Sequence, residues 1–476
     1  MQRFICLFAA AALVLAGCGG TPSAPDAENV TETVETQVYP HAEWTKDATI
    51  YEVNIRQHTP EGTFDAFTRD IPRLAEMGIE ILWLMPVQPI GVENRKGGLG
   101  SYYSIQDYTA INPEFGDADA LRNLVEKAHA KGMKVILDWV ANHTSWDNAW
   151  TANPEWYSQD SLGNFYPPVP DWSDVIDLNY DNPDMRAAMI EAMKHWVQAY
   201  EIDGFRCDVA MEVPTDFWND ATAALRELNP ELFMLAEAET PEHHLEAFDM
   251  SYSWELMHIL NQLAMTEGLT DPALMEEKGW HPEGMTLESL DNYMAKEDTN
   301  FVDYAYRMTF ITNHDENSWN GTQFERFGPA VELFTTLAYT INGMPLVYSG
   351  NEAPNRHRLL FFEKDSIDWN GYEMQDFYAT LLKANKENPA LWNGTYGGDF
   401  KRIATSNDAD IYAYSRTKGN NQVITVLNFS DQPQQVKFAE AVSGEYPSIF
   451  NNQTLSVFTD GDMTLAPWGY QVFVKH

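Results

Sequence analysis

The sequence predicts an α/β fold: a (β/α)8 TIM barrel with a short insertion after its third strand and a C-terminal antiparallel β-sandwich. Two observations support this prediction. Eight short runs of β-branched or aromatic residues alternate with stretches of helical spacing, and that spacing stops after about residue 393. A chain of 476 residues is long enough for such a barrel and one appended module.

The predicted barrel covers residues 46–392. Its strand candidates are residues 48–56, 79–86, 134–140, 204–210, 232–238, 249–254, 307–313 and 344–349. Helical stretches lie between them, for example residues 117–131, 183–200, 215–228, 329–341 and 371–387. This alternation is typical of parallel βα units, which close into a barrel when about eight of them follow one another.

Two segments depart from the alternation. Residues 143–182 are rich in Trp, Tyr, Asn, Asp and Pro without a long helical pattern, so we expect an inserted excursion. Loops of that length are usually functional. Residues 393–476 contain short alternating runs broken by Gly, Asn and Asp, which predict the β-sandwich. Its strand candidates are residues 411–415, 422–428, 435–438, 454–458 and 471–474.

The N-terminus has the features of an exported lipoprotein. Residues 1–17 contain a positive charge at Arg3, followed by an apolar run that is too short to span a membrane. This pattern is typical of a signal peptide. Residues 15–18 (LAGC) resemble the lipobox of bacterial lipoproteins, which implies lipidation of Cys18. Residues 18–45 are expected to be a flexible tether. The predicted location is a membrane, on its periplasmic or cell-surface side; the alternative is a secreted protein with a chance cysteine.

Acidic residues outnumber basic ones, 71 to 30, which gives a formal net charge of −41. With 44% apolar residues the chain is not a disordered acidic tail. Nucleic acid is excluded as a partner because phosphate binding needs concentrated Lys and Arg. Such a charge makes the surface strongly hydrated and self-repelling, and our hypothesis is that it reflects a saline habitat.

Polar residues cluster where four of the predicted strands end. In a parallel barrel these ends meet on one rim, where the chemistry of such folds takes place. The residues are Asn142, His143, Arg206, Asp208, Glu237, His314 and Asp315. A single Asp at a strand end is more often a helix N-cap than a catalyst. Four such clusters on one rim predict an active site.

The segments around these residues resemble the four signature regions of glycoside hydrolase family 13, the α-amylase family. They are residues 138–143, 204–208, 235–237 and 313–315, in the order and spacing of the family. Further matches are residues 78–86, 174–179 and 343–352. The resemblance extends from about residue 46 to 476, and it implies that the excursion is the family's domain B and the sandwich its domain C.

The resemblance implies retaining cleavage of α-glucosidic bonds, most simply α-1,4 bonds in starch-like glucans or malto-oligosaccharides. By the family pattern, Asp208 is the nucleophile, Glu237 is the general acid/base and Asp315 stabilises positive charge in the transition state. Arg206 precedes Asp208 by two residues, so both side chains should point to the same strand face. We expect this guanidinium to favour the ionised form of Asp208.

The resemblance also implies residues that bind the sugar. His143 and His314 would donate hydrogen bonds to its hydroxyl groups. Tyr103 matches the family's stacking tyrosine because it lies four residues before Asp107, and its neighbour Tyr102 is the alternative. A sugar ring packs well on an aromatic plane. Further stacking candidates are Trp146, Trp150, Trp172 and Trp319. Packing in the core would explain any one of these tryptophans equally well.

Many members of the family hold a calcium ion between domains A and B. Asn142 and Asp177 occupy positions where its ligands occur, and calcium prefers oxygen ligands. However, Met211 and Glu212 stand where many members have Lys and His, and residues 59–63 lack the Asp-rich or Asn-rich calcium loop of some members. A structural calcium is therefore left open, and the chemistry requires no cofactor.

Three hypotheses about function follow. The first is hydrolysis. The second is a transglycosylase, an isomerase or an α-1,6-acting enzyme that uses the same covalent intermediate, since the shape of the pocket decides between water and a sugar acceptor. The third is a non-catalytic glycan-binding lipoprotein, which the intact trio Asp208, Glu237 and Asp315 opposes. The expected partners are the glucan and a membrane reached only through the lipid anchor.

Overall fold

The computed structural model describes residues 41–440, 442–451, 454–458 and 463–476. The predicted signal peptide, Cys18 and residues 18–40 of the predicted tether lie outside the described residues.

The first described residues pack against the barrel. The buried His41 forms an ion pair with Asp249, with 2.7 Å between Nδ1 and Oδ1, and a 3-10 helix over Glu43–Thr45 follows. The prediction of a tether that reaches residue 45 is therefore wrong for residues 41–45. Local composition gives no sign of the partner that His41 meets 208 residues later.

Within the described part of the chain, eight parallel strands close into a barrel, which confirms the predicted fold class. The first ten strands are β1 (Ile50–Val53), β2 (Ile81–Leu84), β3 (Lys134–Trp139), β4 (His143–Ser145), β5 (Val175–Asp177), β6 (Gly204–Cys207), β7 (Phe233–Ala236), β8 (Met250–Tyr252), β9 (Tyr306–Thr309) and β10 (Met344–Tyr348). All of these except β4 and β5 form the barrel, in the order β1-β10-β9-β8-β7-β6-β3-β2.

Burial on both faces explains why the barrel strands have continuous apolar sequences. All four residues of β2, Ile-Leu-Trp-Leu, are buried, as expected for a parallel sheet covered by helices. In β1 the sequence is Ile-Tyr-Glu-Val, so Glu52 places a carboxylate in the barrel interior without any exposure.

Helices follow the barrel strands, and most of them cover the outside of the barrel. They are α1 (Ile55–His58), α2 (Phe64–Thr68), α3 (Ile71–Met77), α4 (Ala118–His129), α5 (Pro183–Tyr200), α6 (Thr215–Arg226), α7 (Trp254–Thr266), α8 (Pro272–Lys278), α9 (Glu288–Asn300), α10 (His314–Trp319), α11 (Gln323–Phe327), α12 (Val331–Thr340) and α13 (Gln375–Glu387). Polar N-caps begin several of them; Asn182, for example, accepts hydrogen bonds from two amides of the first turn of α5. No helix among the described residues is long and apolar enough to cross a membrane.

The insertion after β3 contains the antiparallel pair β4–β5, in which His143 lies opposite Asp177. Between these strands the chain forms only short 3-10 helices, over Ala149–Ala152 and Pro154–Trp156, and irregular structure. The excursion expected from the sequence is therefore present, and it extends from the rim on which the catalytic candidates lie.

The C-terminal region is built from antiparallel sheets. Its strands are β11 (Asp399–Ile403), β12 (Ile411–Lys418), β13 (Asn421–Asn428), β14 (Gln434–Val436), β15 (Val442–Pro447), β16 (Thr454–Phe458), β17 (Met463–Leu465) and β18 (Tyr470–Lys475). The sheet β11-β12-β13-β18 packs on the β14–β17 pair through apolar side chains such as Ile424 and Leu465. From its opposite face, Tyr412 and Tyr414 join the core of the barrel.

Candidate active site

A cavity of about 650 Å³ opens at the carboxyl ends of the barrel strands. Eight residues singled out from the sequence line it, and they are Tyr103, His143, Trp172, Asp208, Glu237, His314, Asp315 and Trp319. Arg206 is fully buried beneath them. The fold therefore brings the residues of four strand ends together at one place, as the argument from the barrel rim requires.

Arg206 joins the carboxylates at the floor of the cavity. Its Nη1 lies 3.1 Å from Asp208 Oδ1 and 3.0 Å from Asp138 Oδ1. Its Nη2 lies 2.8 Å from Glu237 Oε2. The remaining Nε donates to the hydroxyl of Tyr252 at 3.0 Å. Because one planar guanidinium contacts three carboxylates, it fixes where they lie relative to one another.

A strained turn follows Asp208. Val209 has φ 37° and ψ 46°, in the left-handed region that a β-branched residue rarely adopts. In this conformation its amide donates to Glu237 Oε2 at 2.9 Å. The amide of Glu237 in turn donates to the carbonyl of Cys207 at 3.0 Å. The turn therefore holds the carboxylates of Asp208 and Glu237 on the same side of the floor.

The electrostatics of Asp208 depend on opposing effects of burial and of its charged neighbours. Burial raises the pKa of Asp208 well above its ordinary value, and the Glu237 carboxylate raises it further, while Arg206 acts in the opposite direction. Arg206 therefore favours the ionised form of Asp208, but burial and the Glu237 carboxylate outweigh it. The guanidinium is shared among three carboxylates, so it does not offset the cost of burying Asp208.

The first turn of α10 carries the other two predicted residues. The side chain of Asn313 caps this helix by accepting a hydrogen bond from the Glu316 amide at 2.8 Å. The cap fixes the start of the helix, and the next two residues, His314 and Asp315, face the cavity. A sequence of Asn-His-Asp after a strand thus supplies a helix start and two functional groups together.

His314 is held between carboxylates. Its Nδ1 donates to Glu52 Oε1 at 2.5 Å, and its Nε2 lies 2.8 Å from the Tyr103 hydroxyl and 3.3 Å from Asp315 Oδ2. Burial alone would lower the pKa of His314, but Asp315 and Glu52 raise it to about 9. Burial raises the pKa of Asp315 to about 6 and Glu237 adds to the rise, while His314 opposes it. His314 is therefore a cation at neutral pH.

His143 is the second histidine of the cavity, and its surroundings differ from those of His314. It begins β4, and its ring lies 5.5 Å from that of Trp172. Burial lowers its pKa to about 4. His143 is therefore neutral where His314 is charged, although both line the same cavity.

Tyr103, and not Tyr102, reaches the cavity. Its hydroxyl donates to Asp138 Oδ2 at 3.1 Å, and its ring is nearly parallel to that of Phe361, with 6.2 Å between the centroids. Tyr102 is 1% exposed and lies under the guanidinium of Arg56, 4.3 Å from its ring centroid. The structure therefore favours Tyr103 over its neighbour as the stacking residue.

Sequence comparisons agree with this arrangement. A model of the alpha amylase catalytic domain matches residues 37–169 and 152–412, and a model of the maltogenic amylase C-terminal domain matches residues 400–472. The chain belongs to the α-amylase family. Its C-terminal sheets correspond to a known accompanying domain.

Individual relatives are distant. Alpha-amylase MalA of Haloarcula japonica is 26% identical over 459 residues, which cover 90% of this chain and 62% of that protein. An α-amylase structure from Lactobacillus plantarum is 27% identical, with a TM-score of 0.79 over 90% of this chain and 99% of that one. A noncanonic maltogenic α-amylase from Thermotoga neapolitana gives 26% identity and a TM-score of 0.78, over 90% and 98% of the two chains. The chain spans only 62% to 64% of the first three curated relatives.

The calcium ligands expected of some α-amylase family members are the least supported of the predicted residues. The backbone carbonyl of Asn142 accepts from the Leu178 amide at 3.1 Å, which places it beside Asp177. Among the described residues, no cluster of three or more His, Cys, Asp or Glu side chains could hold a metal ion. One amide and one carboxylate do not supply the six to eight oxygens that calcium takes. Calcium stays a prediction.

Asp138, Glu52 and Lys96 are among the residues of the site that sequence reasoning missed. Asp138, which bonds Arg206, lies within the first signature segment and could have been found by its place at the end of β3. Glu52 interrupts an apolar strand, and a charge in such a strand is itself a signal. Lys96 lines the cavity and lies 3.2 Å from Asp174 Oδ1, but its loop carries no pattern that would identify it.

Proposed function

We propose that this α-amylase family member is a retaining glycoside hydrolase that cleaves α-1,4 bonds in starch-like glucans or malto-oligosaccharides. The observation that supports it best is the contact of the Arg206 guanidinium with Asp208 and Glu237 in a cavity that Asp315 also lines. A nucleophile and an acid fixed side by side are what retaining cleavage needs.

The reaction would proceed in two displacements. In the first, a carboxylate oxygen of Asp208 forms a bond to the anomeric carbon while the glycosidic C–O bond breaks. Glu237 gives its proton to the departing oxygen. In the second, the Glu237 carboxylate removes a proton from water, whose oxygen displaces Asp208 and leaves a hemiacetal of retained configuration.

The charge around the cavity supports this chemistry. Five carboxylates lie in or under the floor, against the cations Arg206 and His314; they are Glu52, Asp138, Asp208, Glu237 and Asp315. The transition state carries positive charge on the sugar ring, so a fixed negative surrounding stabilises it. Tyr103 would stack on the ring, and the two histidines would donate to its hydroxyl groups.

A second candidate function, transglycosylation or α-1,6 cleavage, uses the same carboxylates. The observation that favours it is an aromatic wall formed by Trp319, Phe361 and Phe362. The Trp319 ring is 43% exposed and lies 5.3 Å from that of Phe361. Such a surface would hold a sugar acceptor in place of water.

A product profile on maltoheptaose, pullulan and isomaltose tests both candidates. We expect shorter malto-oligosaccharides from maltoheptaose, released as α-anomers in the first turnovers when followed by NMR. Products longer than the substrate would support transfer, and release of glucose from isomaltose would support α-1,6 cleavage. Asp208→Asn serves as the inactive control. Initial release of β-anomers would contradict a retaining mechanism.

The proposal includes export and anchoring through Cys18, which rests on the sequence of residues 15–18. The predicted partners are accordingly a glucan and one membrane leaflet. Expression with a labelled fatty acid should label the wild-type chain and leave Cys18→Ala unlabelled. A wild-type chain that takes up no label would contradict the anchor.

A further inference from the structure

Glu52 brings a negative charge into the barrel interior from β1, a strand that carries none of the site residues expected from the sequence. Its neighbours across the sheet are Trp83 on β2 and Tyr348 on β10, and both are buried aromatic residues. Oε1 of Glu52 lies 2.5 Å from His314 Nδ1, while Oε2 has no hydrogen-bond partner within the described part of the chain. A fully buried carboxylate is costly unless a cation lies beside it, and His314 is the group in contact.

The contacts of His314 place a proton on each of its two ring nitrogens. A carboxylate only accepts, so Nδ1 donates to Glu52. Nε2 lies 2.8 Å from the Tyr103 hydroxyl, and that hydroxyl donates its single proton to Asp138 Oδ2 at 3.1 Å. The hydroxyl therefore accepts from Nε2. A histidine that donates from both nitrogens is an imidazolium cation.

The same set of contacts continues to the nucleophile. Asp138 Oδ2 also accepts from Trp83 Nε1 at 3.1 Å, and its Oδ1 lies 3.0 Å from Arg206 Nη1. That nitrogen in turn lies 3.1 Å from Asp208 Oδ1. Glu52 is therefore one end of a continuous series of hydrogen bonds, and the carboxylate of Asp208 is the other.

The other charged and titratable groups around Glu52 and His314 do not replace the contact between them. They are Tyr103 in the loop after β2, Asp138 on β3, Arg206 on β6, Tyr252 on β8, Tyr348 on β10 and Asp315 on α10. Burial raises the pKa of the three tyrosines well above the ordinary value, so they stay neutral. Arg206 lowers the pKa of His314. Asp315 contacts Nε2, on the cavity side of the ring, so Glu52 is the group that holds the proton on Nδ1.

We propose that Glu52 is a positioning residue of the active site: its buried carboxylate holds His314 as an imidazolium and thereby keeps a proton on Nε2 for the substrate. That Nε2 donates to a hydroxyl group of a bound glucan rests on the proposed function. A neutral ring with its proton on Nδ1 would instead present a lone pair to the sugar and to the Asp315 carboxylate. Asp315 and Glu52 raise the pKa of His314 to about 9, in agreement with the contacts.

Glu52→Gln removes the charge and nearly retains the shape, because the amide oxygen can still accept from Nδ1. The measurement is an NMR titration of the chain with labelled histidine, in which the signal that is absent from His314→Gln identifies His314. We expect a pKa near 9 in the wild type. In Glu52→Gln it should be at least about one pH unit lower, which is a tenfold loss of proton affinity. An unchanged pKa of His314 would overturn the proposal.

The wild-type chain provides a second test that needs no variant. The ¹⁵N chemical shifts of a histidine show which of its ring nitrogens is protonated. When His314 loses a proton above about pH 9, we expect Nε2 to lose it and Nδ1 to keep the proton that Glu52 accepts. A remaining proton on Nε2, or a wild-type His314 that is neutral at pH 7, would overturn the proposal.

Two variants separate the charge from other effects of the substitution. Glu52→Asp keeps the charge on a shorter side chain, so His314 should have a higher pKa than in Glu52→Gln. Glu352→Gln is the matched control, because Glu352 is also fully buried but its carboxylate is bound by Tyr51 and Arg73. It should leave the titration of His314 unchanged. An equal decrease of the His314 pKa in Glu52→Gln and Glu352→Gln would contradict a specific role of Glu52.

The consequence for the substrate is measured with Glu237→Gln as the parent, which lacks the general acid and binds maltotriose without cleaving it. Its Kd should increase about tenfold or more as the pH rises through the pKa of His314, since a charge-assisted hydrogen bond is lost. Adding Glu52→Gln should move this increase to lower pH by the interval that NMR gives. A merely structural role would raise the Kd equally at every pH, and that result would overturn the positioning role. A parent that binds no maltotriose would reject the proposed function, and the titration would still decide whether Glu52 holds the proton on Nδ1.

Discussion

The floor and the walls of the active-site cavity are built in different ways. The floor consists of strand-end residues around Arg206, which is fully buried and contacts three carboxylates. The walls come from loops. Lys96 reaches the cavity from the loop after β2, where it pairs with Asp174. Trp319 comes from the end of α10 and Phe361 from the loop after β10, and these two contact each other through their rings.

This difference assigns separate tasks to the two regions. The parallel strands hold the floor residues in place, and each of these residues makes polar contacts with more than one partner. The floor therefore determines which reaction takes place. The positions of the wall residues depend on contacts between loops. For example, the Leu99 amide donates a hydrogen bond to the Phe362 carbonyl at 2.9 Å. The walls set which sugar fits and where. Substitutions in the floor should therefore lower kcat, and those in the walls should mainly change KM.

The largest effect is expected from Asp208→Asn. It removes the nucleophile with almost no change in volume, and we expect kcat to fall on the order of 10⁴-fold or more. The same change at the exposed wall residue, Asp171→Asn, should alter kcat by less than about twofold. Steady-state rates on maltoheptaose measure both.

Stability provides the control for Asp208→Asn. Because burial raises the pKa of Asp208, its ionised form costs stability at neutral pH, and the neutral amide should leave the Tm unchanged or higher. A variant with wild-type kcat would contradict the assignment of the nucleophile. A large loss of Tm would show instead that the fall in rate reflects unfolding.

The next largest effect is expected on the pH dependence of activity, and it should distinguish His314 from His143. Asp315, with a pKa of about 6, must be ionised to stabilise positive charge, so activity should fall as the pH decreases through that value. His314 lowers the pKa of Asp315, so His314→Gln should move the acid limb of kcat/KM to higher pH. His143 is already neutral there, since its pKa is about 4, and His143→Gln should not move the limb.

The position of the limb, and not the size of the rate, is the observable, because both histidines also bind substrate in the proposed mechanism. The limb belongs to the coupled carboxylates of the floor as a set. An acid limb that stays in place in His314→Gln would show that the imidazolium does not control their ionisation.

The same division explains what could be predicted from the sequence. The alternation of strands and helices predicts the barrel, and the strand ends predict Asp208, Glu237, His314 and Asp315, because burial and strand geometry leave periodic patterns. Lys96 and Phe361 could not be predicted, because loop closure over long sequence separations brings them to the cavity. The raised pKa of Asp208 could not be predicted either, since it depends first on how deeply the folded floor buries this carboxyl and then on the neighbouring Glu237.

Trp319→Ala tests the walls. Its indole lies against Phe361 and Phe362, with centroid distances of 5.3 and 5.7 Å, and it is partly open to the cavity. Loss of one stacking surface should raise KM for maltoheptaose about two- to tenfold with kcat unchanged. Trp44→Ala, far from the cavity, is the matched control. A fall in kcat with constant KM would show that Trp319 contributes to the chemical step, as the floor residues do, and not to substrate binding.

The smallest effect concerns the net charge of −41. Most of the 71 acidic residues lie on the surface and not in the cavity. Exposed charges are screened by salt within about 10 Å at 0.1 M, whereas buried pairs are screened much less. Raising NaCl from low to molar concentration should therefore relieve repulsion within the folded chain and raise the Tm by a few degrees.

The substrate is neutral, so kcat/KM for maltotriose should change by less than about twofold over the same range. The salt dependence of the Tm should be the same in Asp208→Asn, because that carboxylate is buried in the floor. A Tm that decreases steadily with NaCl would contradict both the repulsion argument and the saline habitat, and a steep fall in kcat/KM would show that salt reaches the floor.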